Sequence, residues 1–414
     1  MASSFLTQFL VGVGLSLIQC VAAAPWVLLL VRVSSRAWWR RSDVWLSALG
    51  AVVGLGLVMA LLLQTVRDID NLQFLGKIYA SLLQAQLTAD LLIALFAMIM
   101  MAWPKGGTVG LAAFLEGIRQ PMFLLLLGAG VILMVVLPFI PYFTFGEDHL
   151  MTKDLGLELI MLASLAFGVL LASLSISEEI EGRTAVTLMS KPVSRRQFLL
   201  GKYLGILLAC LLLTGVLGWC YGWMTGFKSW YDRVGWYDDD ASRRTVFPSA
   251  VDAWLQAGIP GDEGRALLRG SIIWGLDVSE GLPGLVLGFS HVMVLLAATV
   301  CLATRLHFAA NIVTCAVLFV LGHLSPILVQ SAEYRNQPAH GGGTAVTQLL
   351  EFMARLFNRI LPDLQLFSPT RINDAPIATS QLAFYAGEVC GYSILYTAIL
   401  LLFGLVLFED RDLA

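Results

Sequence analysis

Long apolar runs alternate with short polar breaks along most of the chain. A helix that crosses a bilayer needs roughly 20 mostly apolar residues. Nine runs qualify, at about 5–31, 44–66, 80–103, 121–145, 155–176, 199–224, 283–303, 306–330 and 384–408. Gln84, Gln86 and Asp90 interrupt the third. The pattern predicts an all-α, polytopic membrane protein with about nine transmembrane helices. Two polar stretches, about 227–282 and 331–383, stand apart from it. In the first, Trp230, Tyr231, Trp236 and Tyr237 fit an aromatic belt at a membrane surface, beside a solvated turn at Asp238, Asp239 and Asp240. In the second, Thr344 to Leu361 reads as an amphipathic helix. Val346, Leu349, Leu350, Met353, Phe357 and Ile360 form its apolar stripe, opposite Gln348, Glu351, Arg355, Asn358 and Arg359. Such a helix suits a membrane interface.

Composition agrees. The 414 residues are 58% hydrophobic and 13% charged, where a soluble domain carries about 25% charge. Mean hydropathy is +0.79. Met1 to Gln8 carry no positive charge, so the first apolar run reads as a span rather than a secretory signal. All six cysteines fall inside apolar runs and no C-x-x-C occurs, which argues against a disulfide framework or a zinc site.

The net charge of −3 matters less than where Lys and Arg fall in short loops. Arg32, Arg36, Arg40, Arg41, Lys105, Arg119, Arg183, Lys191, Arg195, Arg196 and Lys202 follow the first, third and fifth spans. Only Arg67, Lys77 and Lys153 occupy the opposite short loops. The richer side is expected to be cytoplasmic. With nine spans that places the N-terminus outside, the C-terminus in the cytoplasm and both long polar stretches outside; with eight spans the N-terminus alone would flip.

One cytoplasmic loop, Ser177 to Lys202, has a distinct local grammar. Ser177 reads as an N-cap with Glu178 and Glu179 in the first turn of a short helix. Lys191 precedes Pro192, which disfavours helix there. Ser194 and Gln197 make a capping box for the next helix, flanked by Val193 and Phe198 at the staple positions. A short charged helix, a rigid turn and a spanning helix make a lever that passes motion from a cytoplasmic partner into the bilayer.

At this loop the sequence resembles the type 2 ATP-binding-cassette exporter permeases. Their pattern E-x-E-x-G-T, L-x-S-x-P-V-S-R and G-K is matched by Glu179, Glu181, Gly182, Thr184, Leu188, Ser190, Pro192, Val193, Ser194, Arg195, Gly201 and Lys202. Arg183 is inserted between the glycine and the threonine. The resemblance covers about 105–408, with Gly107 to Gln120 similar to the family's amphipathic entry helix and Leu361 to Phe367 similar to the external region before its last span. Copper-maturation-type permeases are the nearest branch. The resemblance implies residues 105–414 as a six-helix permease domain, preceded by three extra N-terminal helices in 1–104. It also implies a multi-pass protein of the plasma (inner) membrane, a permease homodimer or heterodimer, an ABC-type ATPase subunit as partner, and export. Glu178, Glu179, Glu181, Gly182, Arg183, Thr184, Lys191, Pro192, Ser194, Arg195, Gly201 and Lys202 are the expected coupling residues, with Glu179, Glu181 and Arg195 as exposed charges that meet the ATPase.

The chain has no P-loop. Arg196 stands where the first glycine before Gly201-Lys202 should be, and Asn71 where the one before Gly76-Lys77 should be. The chain is therefore expected to bind no cofactor and to be no enzyme itself, with ATP and Mg held by the partner. Ionisable residues at membrane depth default to functional candidates. Glu158, His291, His323 and Glu388 each lie within about eight residues of an outer helix end, about 12 Å along an axis. They read either as satisfied interfacial groups or as one polar cluster on a pathway. Asp90 has no assigned role. Gly201/Gly205, Gly284/Gly288 and Gly387/Gly391 have the small-xxx-small spacing of close helix contacts. The expected function is the membrane-spanning permease subunit of an exporter. The alternatives are a non-transporting membrane scaffold of an ATPase-driven assembly, and an intramembrane enzyme using His291 and His323.

Overall fold

With few helix breakers inside the apolar runs, the backbone satisfies its own polar groups in helices, as hydrocarbon surroundings demand. The computed structural model describes residues 2–25, 50, 53–58, 60–61, 65–66, 68–140, 148–181, 194–234, 247–259, 261–336, 345–360, 362–368 and 379–409. In chain order the helices are α1 (Ala2–Ala22), α2 (Ile69–Ala102), α3 (Pro104–Arg119), α4 (Pro121–Val136), α5 (Asp148–Glu181), α6 (Arg195–Val234), α7 (Ser249–Gly258), α8 (Asp262–Ala303), α9 (Phe308–Asn336), α10 (Ala345–Ile360) and α11 (Thr379–Glu409). A 3-10 turn, Leu364–Phe367, lies between α10 and α11. The protein is an all-α, multi-pass membrane protein.

Seven described helices are long and apolar enough to cross a bilayer: Ile69–Ala102, Pro121–Phe139, Asp148–Ser177, Arg195–Tyr231, Asp262–Ala303, Phe308–Tyr334 and Gln381–Glu409. They match the last seven expected spans. The first expected span corresponds to α1, whose apolar part, Gln8–Ala22, is shorter than a crossing. Residues 53–58 of the second are helical. Both of these spans run into residues outside the described ones.

The helices form two compact units, one of Met1–Leu95 with Thr225–Glu280 and one of Phe96–Met224 with Gly281–Ala414. Much of the polar stretch 227–282 is grouped with the N-terminal helices in the first of these units. In the first unit, α2 crosses the start of α8 at two glycines. A Cβ on Gly76 would collide with Leu267 O, and one on Gly270 with Gln73 O. Ser271 Oγ donates to Gly76 O at 3.0 Å. Two of the three polar residues that interrupt the third run hold this unit together: Trp274 Nε1 donates to Gln84 Oε1 at 2.9 Å, and Gln86 pairs with Gln19. Leu15, Leu72, Ala266 and Leu267 form a small core.

The second unit has the larger core, around Phe167, Leu171, Leu199, Ile206, Leu213, Leu296 and Val300. Leu124, Leu125, Ile132, Ile394, Leu395, Ile399 and Leu402 remain exposed, an apolar exterior suited to lipid. Trp103 precedes Pro104 at the first position of α3, and Pro121 starts α4 directly after Gln120. The buried face of α3 is Gly106, Gly107, Gly110, Ala113 and Gly117, small enough for other backbones to approach.

Candidate functional site

The end of α5 and the start of α6 flank the loop singled out by sequence. The expected cap at Ser177 does not form. With no Gly or Pro between Ser177 and Gly182, α5 runs unbroken from Asp148 to Glu181, as helix propensities favour. Ser177 is buried, and its Oγ donates to Leu306 O at 3.2 Å in the turn between α8 and α9. Glu178, Glu179 and Glu181 therefore occupy the last turn of a helix rather than the first, where the helix dipole disfavours negative charge.

Lys202, about two turns into α6, offsets that cost. Its side chain is 6% exposed, and Nζ donates to Ser175 Oγ at 2.6 Å, to Glu179 Oε1 at 2.7 Å and to Glu116 Oε2 at 3.2 Å. An ammonium has three donors, and all three have acceptors. Ser175 Oγ also reaches Glu116 Oε2 at 3.3 Å. One buried cation thus ties α3, α5 and α6 together. Gly201 and Gly205 make the approach possible. A Cβ on Gly201 would lie 2.8 Å from Gly106 O, and one on Gly205 would collide with Gly110 O. Gly284 and Gly288 meet the Leu157 and Met161 side chains, while a Cβ on Gly387 or Gly391 meets nothing within 4 Å.

The capping box forms as expected. Ser194 N–H donates to Gln197 Oε1 at 3.0 Å, and Gln197 N–H donates to Ser194 Oγ at 3.3 Å. Arg195 is not a solitary exposed charge. Its guanidinium donates to Phe408 O at 3.0 Å and Glu409 O at 2.9 Å and lies 5.8 Å from the Phe408 ring centroid. A cation capping the last carbonyls of α11 is favourable for the dipole. Gly182, Arg183, Thr184, Lys191 and Pro192, and the side chains of Glu178 and Glu181, lie outside the described residues.

The sequence model of the ABC-2 family transporter proteins matches residues 52–413. The chain belongs to the ABC-2 family of transporter proteins. It is a membrane permease subunit of an ABC transporter, of a family that generally works with an ABC ATPase subunit. The match begins at 52, within the second expected span. No curated protein and no solved structure matches the chain.

The permease's membrane-depth candidates divide. His291 on α8 is buried among rings, with Phe319 at 5.6 Å, Phe367 at 5.4 Å and His323 at 5.4 Å between centroids. His323 on α9 has Nδ1 at 3.0 Å from Phe319 O, and Gln365 Nε2 donates to His323 O at 3.2 Å. Glu158 on α5 is near enough to His323 for their charges to interact. His291 Nε2 is buried with no hydrogen-bond partner among the described residues. Glu388 is exposed on α11 and makes no ion pair or hydrogen bond with these three among the described residues. Three of the four candidates gather; the fourth does not.

Sequence reasoning missed Glu116 and Ser175. The available signal was Lys202 itself, set among Leu199, Leu200, Tyr203 and Leu204. A lysine so placed needs carboxylates from elsewhere.

Proposed function

We propose that this permease is the membrane half of an exporter powered by a separate ATP-hydrolysing chain, which engages the segment Ser177 to Lys202. The observation that carries this reading is the Lys202 network. The matched motif supplies a loop for a partner, and Lys202 joins both flanks of that loop to α3. A partner that shifts the last turn of α5 moves Glu179, and through Lys202 it loads α6 and α3 together. Coupling of this kind requires an element with two arrangements that the partner biases. A salt-bridged hinge between helices that cross at glycines is such an element.

Glu179 and Lys202 act inside the permease in this scheme. Glu178, Glu181, Arg183 and Lys191 are the charges left to meet the ATPase, with Gly182, Thr184, Pro192 and Ser194 shaping the turn. Arg195 anchors α6 to α11, and Gly201 admits α3. The Ser194 end faces the cytoplasm of the plasma (inner) membrane, the N-terminus lies outside, and two permease chains pair in the transporter. Glu158, His291 and His323 line the far end of the path. ATP and Mg belong to the partner.

Purification of the chain from its native membrane should bring down an ABC-type ATPase, while the isolated chain binds no nucleotide. A photoreactive residue in place of Glu181 should crosslink to that ATPase. Nucleotide binding by the isolated chain, or crosslinks from position 181 to lipid alone, would remove the proposal. For orientation, Ser249→Cys should react with an impermeant thiol reagent in intact cells and Ser194→Cys should not.

A further inference from the structure

The first unit holds an open cavity of about 180 Å³ that the coupling scheme does not use. Three helix faces wall it. Asp262, Arg265, Ala266 and Arg269 stand on one side of α8. Asp252, Leu255 and Gln256 form the facing side of α7, and Ile69 and Gln73 come from the start of α2. Gly261, just before α8, has a φ of 110°, in the left-handed region that favours glycine. Its carbonyl accepts from Arg265 Nε at 3.2 Å. The 42 residues of α8 make about 63 Å of helix, about twice the hydrocarbon thickness of a bilayer. Its charged first turns therefore stand in water, and a ligand of the cavity is a water-soluble one.

The charges of the cavity are held in place but not used up. Arg265 Nη2 donates to Asp262 Oδ1 at 2.7 Å, and Arg265 Nη1 has no acceptor among the described residues. The Arg269 guanidinium lies over the Phe247 ring, 4.8 Å from its centroid. It reaches Asp252 Oδ1 only at 3.9 Å, too far for a hydrogen bond. None of its five guanidinium N–H groups has an acceptor among the described residues. Asp252 is oriented from its other side, where Gln256 Nε2 donates to Oδ2 at 3.1 Å. The Gln73 side-chain amide also has no hydrogen-bond partner among the described residues. Two poles of opposite charge thus face each other across a gap that neither closes.

We propose that this cavity binds a small zwitterion of the α-amino-acid class with an apolar side chain. The ligand carboxylate takes the edge of Arg269 and Nη1 of Arg265, since a planar guanidinium fork matches a carboxylate. The ammonium takes Asp252 Oδ1 and the Gln73 carbonyl oxygen. The side chain rests against Ile69, Leu255 and Ala266. Two arginines and two aspartates make the lining electroneutral, so it offers no net attraction to a plain anion or cation. A zwitterion fills both poles at once, and no hydrogen bond between Arg269 and Asp252 has to break. The site belongs to the first unit and the Lys202 network to the second, so this proposal stands apart from the coupling scheme.

The test uses the full-length permease in phosphatidylcholine nanodiscs and measures saturable binding of radiolabelled L-alanine, L-valine and L-leucine in turn. At least one should bind. Isovalerate, which is valine without its ammonium, and isobutylamine, which is valine without its carboxylate, should not compete. Arg269→Gln and Asp252→Asn should each weaken binding about tenfold or more, the worth of one charge-assisted hydrogen bond. Both side chains are partly exposed, so the melting temperature of the unliganded protein should hold. Arg269→Lys keeps the charge but loses the fork and should also bind more weakly. Saturable binding of none of the three amino acids would overturn the proposal. So would competition by isovalerate as strong as that by unlabelled amino acid, which would mean a plain anion site. Undiminished binding in Arg269→Gln would place the amino acid elsewhere in the permease and overturn it equally.

Discussion

Ser175 and Glu179, near the end of α5, lie in a network where every donor of Lys202 has an acceptor. Glu158, about 26 Å from Ser175 along the same helix, borders a cluster where His291 is held by Phe319, Phe367 and His323 and keeps Nε2 without a partner among the described residues. The first end is joined by charge across three helices. The second is joined by ring packing, which tolerates substitution of similar shape but leaves one polar atom unsatisfied. A directional link of charges suits transmission of movement. A packed apolar clasp with an unused nitrogen suits a place that opens and meets a polar ligand or water.

Five single substitutions and one compensating pair sharpen that contrast, all read by thermal unfolding in detergent. Lys202→Met has the largest expected effect. It leaves Glu116 and Glu179 without their cation, and stability should fall on the order of 3 kcal/mol. Full burial would cost more, but Glu116 is 41% exposed. Adding Glu116→Gln and Glu179→Gln should recover most of the loss. Next, Gly205→Ala forces a Cβ into Gly110 O and should cost about 1–3 kcal/mol. Gly391→Ala, in the same spacing but with nothing within 4 Å, should be neutral or stabilising by up to about 1 kcal/mol. Arg195→Ala removes the cap on Phe408 O and Glu409 O and should cost about 1–2 kcal/mol. The smallest change is expected for His291→Phe, within about 1 kcal/mol, because a ring of similar shape keeps the stacking and no hydrogen bond to Nε2 is lost. A large loss there would show that Nε2 has a partner and that the contrast between the two ends is false.

Local signals were legible in the sequence and distant ones were not. Ser194 and Gln197 are three residues apart, and their reciprocal bonds followed from spacing alone. Ser177 had the same local look, but its hydroxyl serves Leu306 O, 129 residues away, and the helix simply continues through it. Tertiary demand overrode the capping preference. The Lys202 partner Glu116 is 86 residues away on a helix that periodicity identified but could not dock. The stretch 227–282 looked polar because Arg265, Arg269 and Asp262 sit near the start of α8. That helix nevertheless continues into a spanning segment. Long apolar runs were the most readable feature, since burial in lipid constrains every residue of a span in the same way.

The linkage through Lys202 is tested most directly with Glu116→Gln, which keeps the Lys202–Glu179 pair and removes only the carboxylate of α3. The quantity to measure is ATP hydrolysis by the purified complex that depends on the permease, alongside the melting temperature and the amount of ATPase bound. If Lys202 passes movement from the coupling segment into α3, the partner should remain bound and the melting temperature nearly unchanged. Permease-dependent hydrolysis should fall on the order of fivefold or more, the range of a typical coupling energy. Hydrolysis at the unsubstituted rate, with the melting temperature preserved, would contradict the linkage.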